Sequence, residues 1–329
     1  MLGSPSPGHF SPTPVNDMSD VAVMRTCPVC EHGEARLLFV KGDLRLVRCA
    51  RCGMIFANPV SSDLATGGFY DRLGASFYLS PEKLAADYAP VRFERELALF
   101  RSFCPQGAVL DVGCSTGAFL YQLKTRFPES YSVTGMDVSG GALEHARGRG
   151  IETLPGHFLQ QDFAGRRFDG ITFWAVLEHL ADPRRFLARA ASLLAPGGCC
   201  FILVPNMNSL AVRLLGWKYR YIMPDHLNYF TAASLARLAA GEPFLKRTAL
   251  RTCHFNPLVI LQDWRRPHER VADEERVQLL KRTTAYKQNP WLRPLKVCYR
   301  CAERFLAAFG RADNLVMVLR KQPAGHPAN

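Results

Sequence analysis

From about residue 108 to residue 205, stretches that read as strand alternate with stretches that read as helix, and this order constrains the fold more than any other feature. AVLDV, SVTGMDV, IETLP, FDGITFW and CCFILVP are short apolar or β-branched runs. GAFLYQLKTRF, GGALEHARGRG and ADPRRFLARAASLL space their apolar residues at three and four, as one face of a helix requires. This alternation predicts an α/β domain, a doubly wound and mostly parallel sheet with helices on both faces. Ligands of such sheets bind beyond the carboxyl ends of the strands. KLAADYAPVRFERELALFRSF, residues 83–103, predicts a helix leading into the domain.

The first of these strands runs into Gly113-Cys114-Ser115-Thr116-Gly117, which fits two chemistries. One is the G-x-S-x-G elbow that presents a nucleophilic serine. The other is a glycine-rich turn that lets a cofactor approach backbone N–H groups and a helix N-terminus. Asp137 ends the next strand 24 residues after Gly113, where a carboxylate can hold ribose hydroxyls, and the elbow accounts for neither it nor Asp111 within the first strand. The cofactor turn is therefore expected, with neither Ser115 nor Cys114 a nucleophile. A nicotinamide fingerprint would need glycines at positions 115 and 118, which hold Ser and Ala.

Ahead of this domain stand two C-x-x-C pairs, Cys27/Cys30 and Cys49/Cys52, separated by 18 residues that include the strand-like LLFV and LRLV around Lys41-Gly42-Asp43. That is the layout of a zinc ribbon. Four thiolates fill a tetrahedral ion, so a structural Zn2+ with no open coordination position is expected. Cys298 and Cys301 lie in a helical stretch, KVCYRCAERFLAAF, without a second pair, and are expected to be ordinary partly buried cysteines.

The first 20 residues are rich in Pro, Ser and Gly and lack the apolar segment of a signal peptide. No apolar run is long enough to cross a bilayer, so a cytoplasmic protein without membrane insertion is expected. The formal charge of +12 concentrates late: residues 246–321 hold 17 Lys and Arg against 7 Asp and Glu. A solvated helical surface explains this, although Arg265-Arg266 and Lys281-Arg282 would also suit a phosphate-bearing substrate.

LDVGCSTG, MDVS, FDGITFWAVLEHLADP and LLAPGGCCFILVPN, followed by HLNYFTAASL, resemble the class I S-adenosylmethionine-dependent methyltransferases, in particular a bacterial subgroup with an N-terminal zinc-binding module. The resemblance implies a Rossmann-like seven-stranded sheet and S-adenosylmethionine as cofactor. It puts Gly113, Ser115 and Gly117 beside the methionine part, Asp137 on the ribose, and Trp174, Glu178 and His179 around the pocket after the fourth strand. His157, Phe158 and Asp162 fall where an adenine contact belongs, and Asp111 completes the cofactor set. The organisation expected is a disordered tail over 1–22, a zinc ribbon over 23–60, a linker and leading helix over 61–104, the cofactor-binding core over 105–255, a basic helical insertion over 256–312, and a final strand and tail over 313–329.

SLAVRLLGWKYRYIMPDHLNYFT, residues 209–231, is expected to form a lid over the strand ends, bringing Trp217, Tyr219, Tyr221, His226 and Tyr229 to the acceptor. His226 is the candidate general base and His179 the alternative, because an imidazole titrates near neutrality. The acceptor expected is a sugar or other small hydroxylated molecule, methylated on oxygen or carbon. An RNA methyltransferase and a non-catalytic zinc-ribbon interaction protein are the alternatives; the oligomeric state stays open.

Overall fold

The computed structural model describes residues 21–70, 78–265 and 293–323. In chain order its strands are β1 (Ala22–Val23), β2 (Ala35–Lys41), β3 (Leu44–Cys49), β4 (Ile55–Ala57), β5 (Val60–Ser61), β6 (Gly107–Val112), β7 (Tyr131–Asp137), β8 (Glu152–Pro155), β9 (Phe168–Trp174), β10 (Leu194–Pro205), β11 (Asn228–Tyr229), β12 (Leu245–Cys253) and β13 (Asn314–Lys321). Seven of them make the main sheet, in the order β12-β13-β10-β9-β6-β7-β8. β6 through β10 pair in parallel, while β13 is inserted antiparallel between β10 and β12.

The continuous apolar runs of the central strands follow from burial on both faces. Along β10, Cys199 and Phe201 enter a core with Phe100, Phe119 and Leu120, while Cys200, Ile202 and Val204 enter the opposite core with Leu110, Ile171 and Phe173. Gly170 is required by the first core: a Cβ there would lie 2.7 Å from the Phe100 ring.

The single leading helix expected over 83–103 is two, Pro81–Asp87 and Glu94–Phe103. Pro90 explains the break, since it lacks an N–H and its ring would strike the carbonyl four residues back. The expected tail also ends earlier, because Ala22 already pairs with Ser61 in β1 and β5.

The front segment does not stand apart. β2, β3 and β4 form a meander whose fourth strand is β11, with Asn228 opposite Phe56 and Tyr229 opposite Ile55. Leu44, Leu46, Ile55 and Val60 share a core with Leu215, Tyr219, Ile222, Leu227 and Tyr229.

The late part contributes the helices Pro257–Arg265 and Arg293–Ala308. Arg266, Lys281 and Arg282 lie outside the described residues. Cys298 and Cys301 are exposed, not partly buried, because the helix turns Glu303 and Tyr299 toward the body and these two outward. No helix among the described residues is long and apolar enough to cross a membrane.

Candidate active site

At the carboxyl end of β6 the chain turns through Gly113 and Gly117, both at φ 75°, into the helix Ala118–Arg126. A Cβ at Gly113 would lie 2.6 Å from Val176 and one at Gly117 2.9 Å from Ala146, so both positions are closed to larger residues by conformation and by space. Ser115 also adopts a left-handed conformation, φ 51°. Among the described residues its Oγ is buried without a partner, so the adjacent base that a nucleophilic elbow requires does not stand beside it.

Asp137 closes the turn. Its Oδ2 accepts from the Ser115 N–H at 2.8 Å and its Oδ1 from the Ser139 N–H at 2.9 Å. Burial pushes its pKa up, opposed by these backbone bonds. Asp111 is buried one strand deeper, accepting from Thr172 Oγ1 at 2.6 Å, and burial raises its pKa to about 7. Trp174, at the end of β9, packs on Phe119, and its Nε1 is buried without a partner. With Ser115 Oγ and Ser139 Oγ, that makes three unpaired buried polar groups at the carboxyl ends of β6, β7 and β9, where such sheets bind their ligands.

The expected adenine contacts behave differently. His157 Nε2 lies 2.9 Å from the Thr66 carbonyl, and Phe158 is 3 % exposed, packed among Phe163, Phe173 and Phe186. Asp162 accepts from the Ala164 N–H within its own exposed turn.

On the acceptor side Leu177–His179 forms a single 3₁₀ turn after β9 and presents Glu178 and His179. The His179 ring meets that of His226 edge-on, centroids 4.7 Å apart. His179 Nδ1 is 2.7 Å from the Asp225 carbonyl and 2.5 Å from the Tyr70 hydroxyl. Glu178 is buried with Oε2 unpaired, and burial raises its pKa to about 8, helped by the Asp225 charge. One ligand atom from each of Glu178, His179 and His226 lies within 4.8 Å of the others, a donor set able to relay a proton or to hold a divalent cation.

The lid is more closed than the sequence implies. His226, Tyr219 and Tyr229 are 5 %, 3 % and 5 % exposed. Tyr221 stacks on the His226 ring. Trp217 instead stacks on Phe39 of β2, centroids 4.4 Å apart, which assigns it to the front module and not to the acceptor face.

Sequence reasoning missed Tyr70, which sits in the unpatterned segment DLATGGFYD. After the helix Ser62–Thr66 this segment crosses the strand ends: Thr66 reaches His157, Gly67 lies near Val138, and Tyr70 reaches His179.

Cys27, Cys30, Cys49 and Cys52 converge, with Sγ of Cys27 and Cys52 3.5 Å apart and Sγ of Cys30 and Cys49 3.6 Å apart. Four thiolates at about 2.3 Å from one zinc would stand roughly 3.8 Å from each other. The cluster fits such an ion.

A seven-stranded sheet with one antiparallel strand inserted, a glycine turn after its first parallel strand and an acidic residue after its second define an S-adenosylmethionine-dependent methyltransferase. Residues 86–242 match a family described as a methyltransferase domain. A ubiquinone biosynthesis O-methyltransferase of Caulobacter vibrioides is 31 % identical over 188 residues, 52 % of this chain and 72 % of the relative. Another, of Aeromonas salmonicida, is 29 % identical over 164 residues, 46 % of this chain and 67 % of the relative. The solved structure of the N-methyltransferase NodS from Bradyrhizobium japonicum, bound to S-adenosyl-l-homocysteine, aligns over 77 % of this chain and 98 % of its own, with a TM-score of 0.45 and 18 % identity. The chain belongs to the class I S-adenosylmethionine-dependent methyltransferases.

Proposed function

We propose that this methyltransferase acts on an oxygen or carbon of a small hydroxylated molecule, with a structural zinc ion held by Cys27, Cys30, Cys49 and Cys52. The observation that carries the reading is the His179–His226 pair beside the strand ends, with His226 buried, His179 half-buried and His179 tied to Tyr70. The sulfonium of S-adenosylmethionine supplies an already activated methyl group, so the protein's task is to align an acceptor and hold its proton. Asp137 and the Gly113–Gly117 turn bind the cofactor. His226 accepts the acceptor's proton while His179, fixed by the Asp225 carbonyl and Tyr70, holds its ring edge-on. Tyr221 and Tyr229 bound the face opposite.

O-methylation is favoured over C-methylation by the two relatives named for ubiquinone biosynthesis O-methyl transfer. A sugar acceptor is supported by the aromatic lid with its histidine. Supplying labelled S-adenosylmethionine with panels of hydroxylated aromatics, sugars and RNA tests the reading. Label transferred to a small hydroxyl compound, and lost in His226→Ala, is expected. Transfer to RNA alone, or turnover in His226→Ala within a few fold of the parent, overturns it.

A further inference from the structure

Arg25 precedes the first cysteine pair by two residues, and neither the metal pattern nor the methyl-transfer chemistry uses it. Its guanidinium is nevertheless buried at the junction of three segments. Nη2 donates to the Ala181 carbonyl at 2.8 Å and to Asn228 Oδ1 at 2.9 Å. Nη1 donates to the carbonyls of Leu227 at 3.2 Å and Ala57 at 3.4 Å. The backbone of Arg25 is itself clamped, its N–H donating to Asn58 Oδ1 at 2.9 Å and its carbonyl accepting from Asn58 Nδ2 at 3.1 Å.

Asn228 passes the constraint on. With its carbonyl oxygen taken by Arg25, its amide is oriented so that Nδ2 donates to the Leu177 carbonyl at 2.8 Å and to the Leu180 carbonyl at 2.7 Å. Those two carbonyls bracket Glu178 and His179. The neighbouring Leu227 N–H donates to the Glu178 carbonyl at 2.7 Å, and Leu227 follows His226 directly. From Arg25, two residues ahead of the cysteine knuckle, hydrogen bonds thus run through Asn228 to the turn that carries His179 and through Leu227 to the segment just ahead of β11 that carries His226. Lys41 makes a second tie, from β2 to the carbonyls of Trp217 and Ile222 at 3.2 and 3.0 Å.

We propose that Arg25 is a positioning residue for methyl transfer, making the cysteine module a structural part of the acceptor site through the Arg25–Asn228 link. This rests on the reading of His179 and His226 given above. The planar guanidinium suits the role because its fixed fork of donors reaches four oxygens in different directions, which a lysine ammonium at the end of a flexible stem does not. A tie of this kind holds the two rings at their mutual angle, and none of its hydrogen bonds reaches the Gly113–Gly117 turn.

The test uses the full chain as Arg25→Ala and Arg25→Lys. Four quantities are read: zinc per chain, S-adenosylhomocysteine affinity by calorimetry, amide exchange over 223–230 without acceptor, and turnover with kcat and KM separated. Expected are one zinc retained, cofactor affinity within twofold, and exchange at Leu227 faster by at least about tenfold. The fall expected in kcat is about 10–100-fold, the range for lost partners of ligating side chains. Arg25→Lys should not restore the exchange rate, whereas added guanidinium ion should partly restore it in Arg25→Ala. Chelating the zinc from the parent should reproduce the same exchange pattern.

Unchanged exchange at Leu227 with zinc retained overturns the proposal. If Arg25→Ala loses its zinc, Asn228→Ala cuts the link beyond the knuckle. Faster exchange over 177–180 in that variant supports the proposal and unchanged exchange overturns it. Because exchange is read without acceptor, a wrong acceptor class would leave this result standing and appear only as absent turnover.

Discussion

The bond that closes the cofactor turn, Ser115 to Asp137, spans 22 residues, and both partners belong to one strand–turn–helix–strand unit. On the acceptor side the bond from His179 to Asp225 spans 46 residues and that from Arg25 to Asn228 spans 203. One end of the site is therefore written locally and the other is assembled from segments that meet only when the chain is folded. Local geometry is tolerant, since the turn keeps its shape as long as its glycines and β7 are present. An assembled site fails when any contributing segment shifts, because near-attack geometry is lost with displacements of about 1 Å.

Removing the proposed zinc ion should separate the two ends most. Cys49→Ser with Cys52→Ser is expected to release the metal and loosen β2–β4 together with β11, which shares their sheet. Structural zinc contributes on the order of 10 kcal/mol to the folding of its module. Amide exchange should rise across residues 23–60 and 219–230 while β6 and β7 stay protected. Equal protection loss in β6 and β7 would mean the two ends are one cooperative unit. His226→Ala should act on the acceptor end alone, lowering turnover by about 10²–10⁴ with S-adenosylhomocysteine affinity unchanged. A parallel loss of affinity would erase the distinction.

The same contrast explains what was legible in the sequence. The order of strands and helices, the Gly113–Gly117 turn, Asp137 and the four cysteines follow from short-range spacing, and the fold matches them. The edge strand β11 is two residues long and pairs with a strand some 170 positions earlier, so no periodicity announces it. Tyr70 and Arg25 have no motif because their roles depend on which oxygens lie beside them. The helix break at Pro90 has a local cause, but helical apolar spacing on either side of it hides the break.

Asp137→Ala sharpens the cofactor side. Loss of a charged acceptor of hydrogen bonds should weaken S-adenosylmethionine binding by about 1–3 kcal/mol, read by calorimetry, with exchange over 219–230 unchanged. Beneath it, Asp111 gives a pH signature. Burial holds its pKa near 7 against the Thr172 hydrogen bond, with the Asp137 charge adding to the rise. A carboxyl raised in the folded state contributes stability that is fully present below its unfolded pKa, about 3.9, and is lost as pH rises through about 7. Asp111→Asn is neutral at every pH, so its melting temperature relative to the parent should increase between pH 5 and pH 8. The slope is roughly 1–2 °C per kcal/mol for a chain of 329 residues. A pH-independent difference would mean that Asp111 is ionised throughout.

The smallest effect concerns Ser115, which stands at φ 51° between two glycines with its hydroxyl buried and unpaired. A left-handed conformation costs a residue bearing a Cβ about 1–2 kcal/mol, and an unpaired buried hydroxyl adds to that cost. Glycine relieves both terms but gives the unfolded chain more conformations, which returns part of the gain. The balance for Ser115→Gly is a stabilisation of about 0.5–1 kcal/mol with cofactor affinity kept, since the bond to Asp137 comes from the backbone N–H and survives the change. Ser115→Ala keeps the Cβ and removes only the hydroxyl, so it isolates the second term. If Ser115→Gly weakens S-adenosylmethionine binding while Ser115→Ala does so equally, the buried hydroxyl is a cofactor contact in its own right. Affinity retained in both makes the turn a purely backbone device, which is what allows five consecutive residues, Gly113 to Gly117, to specify one end of the site.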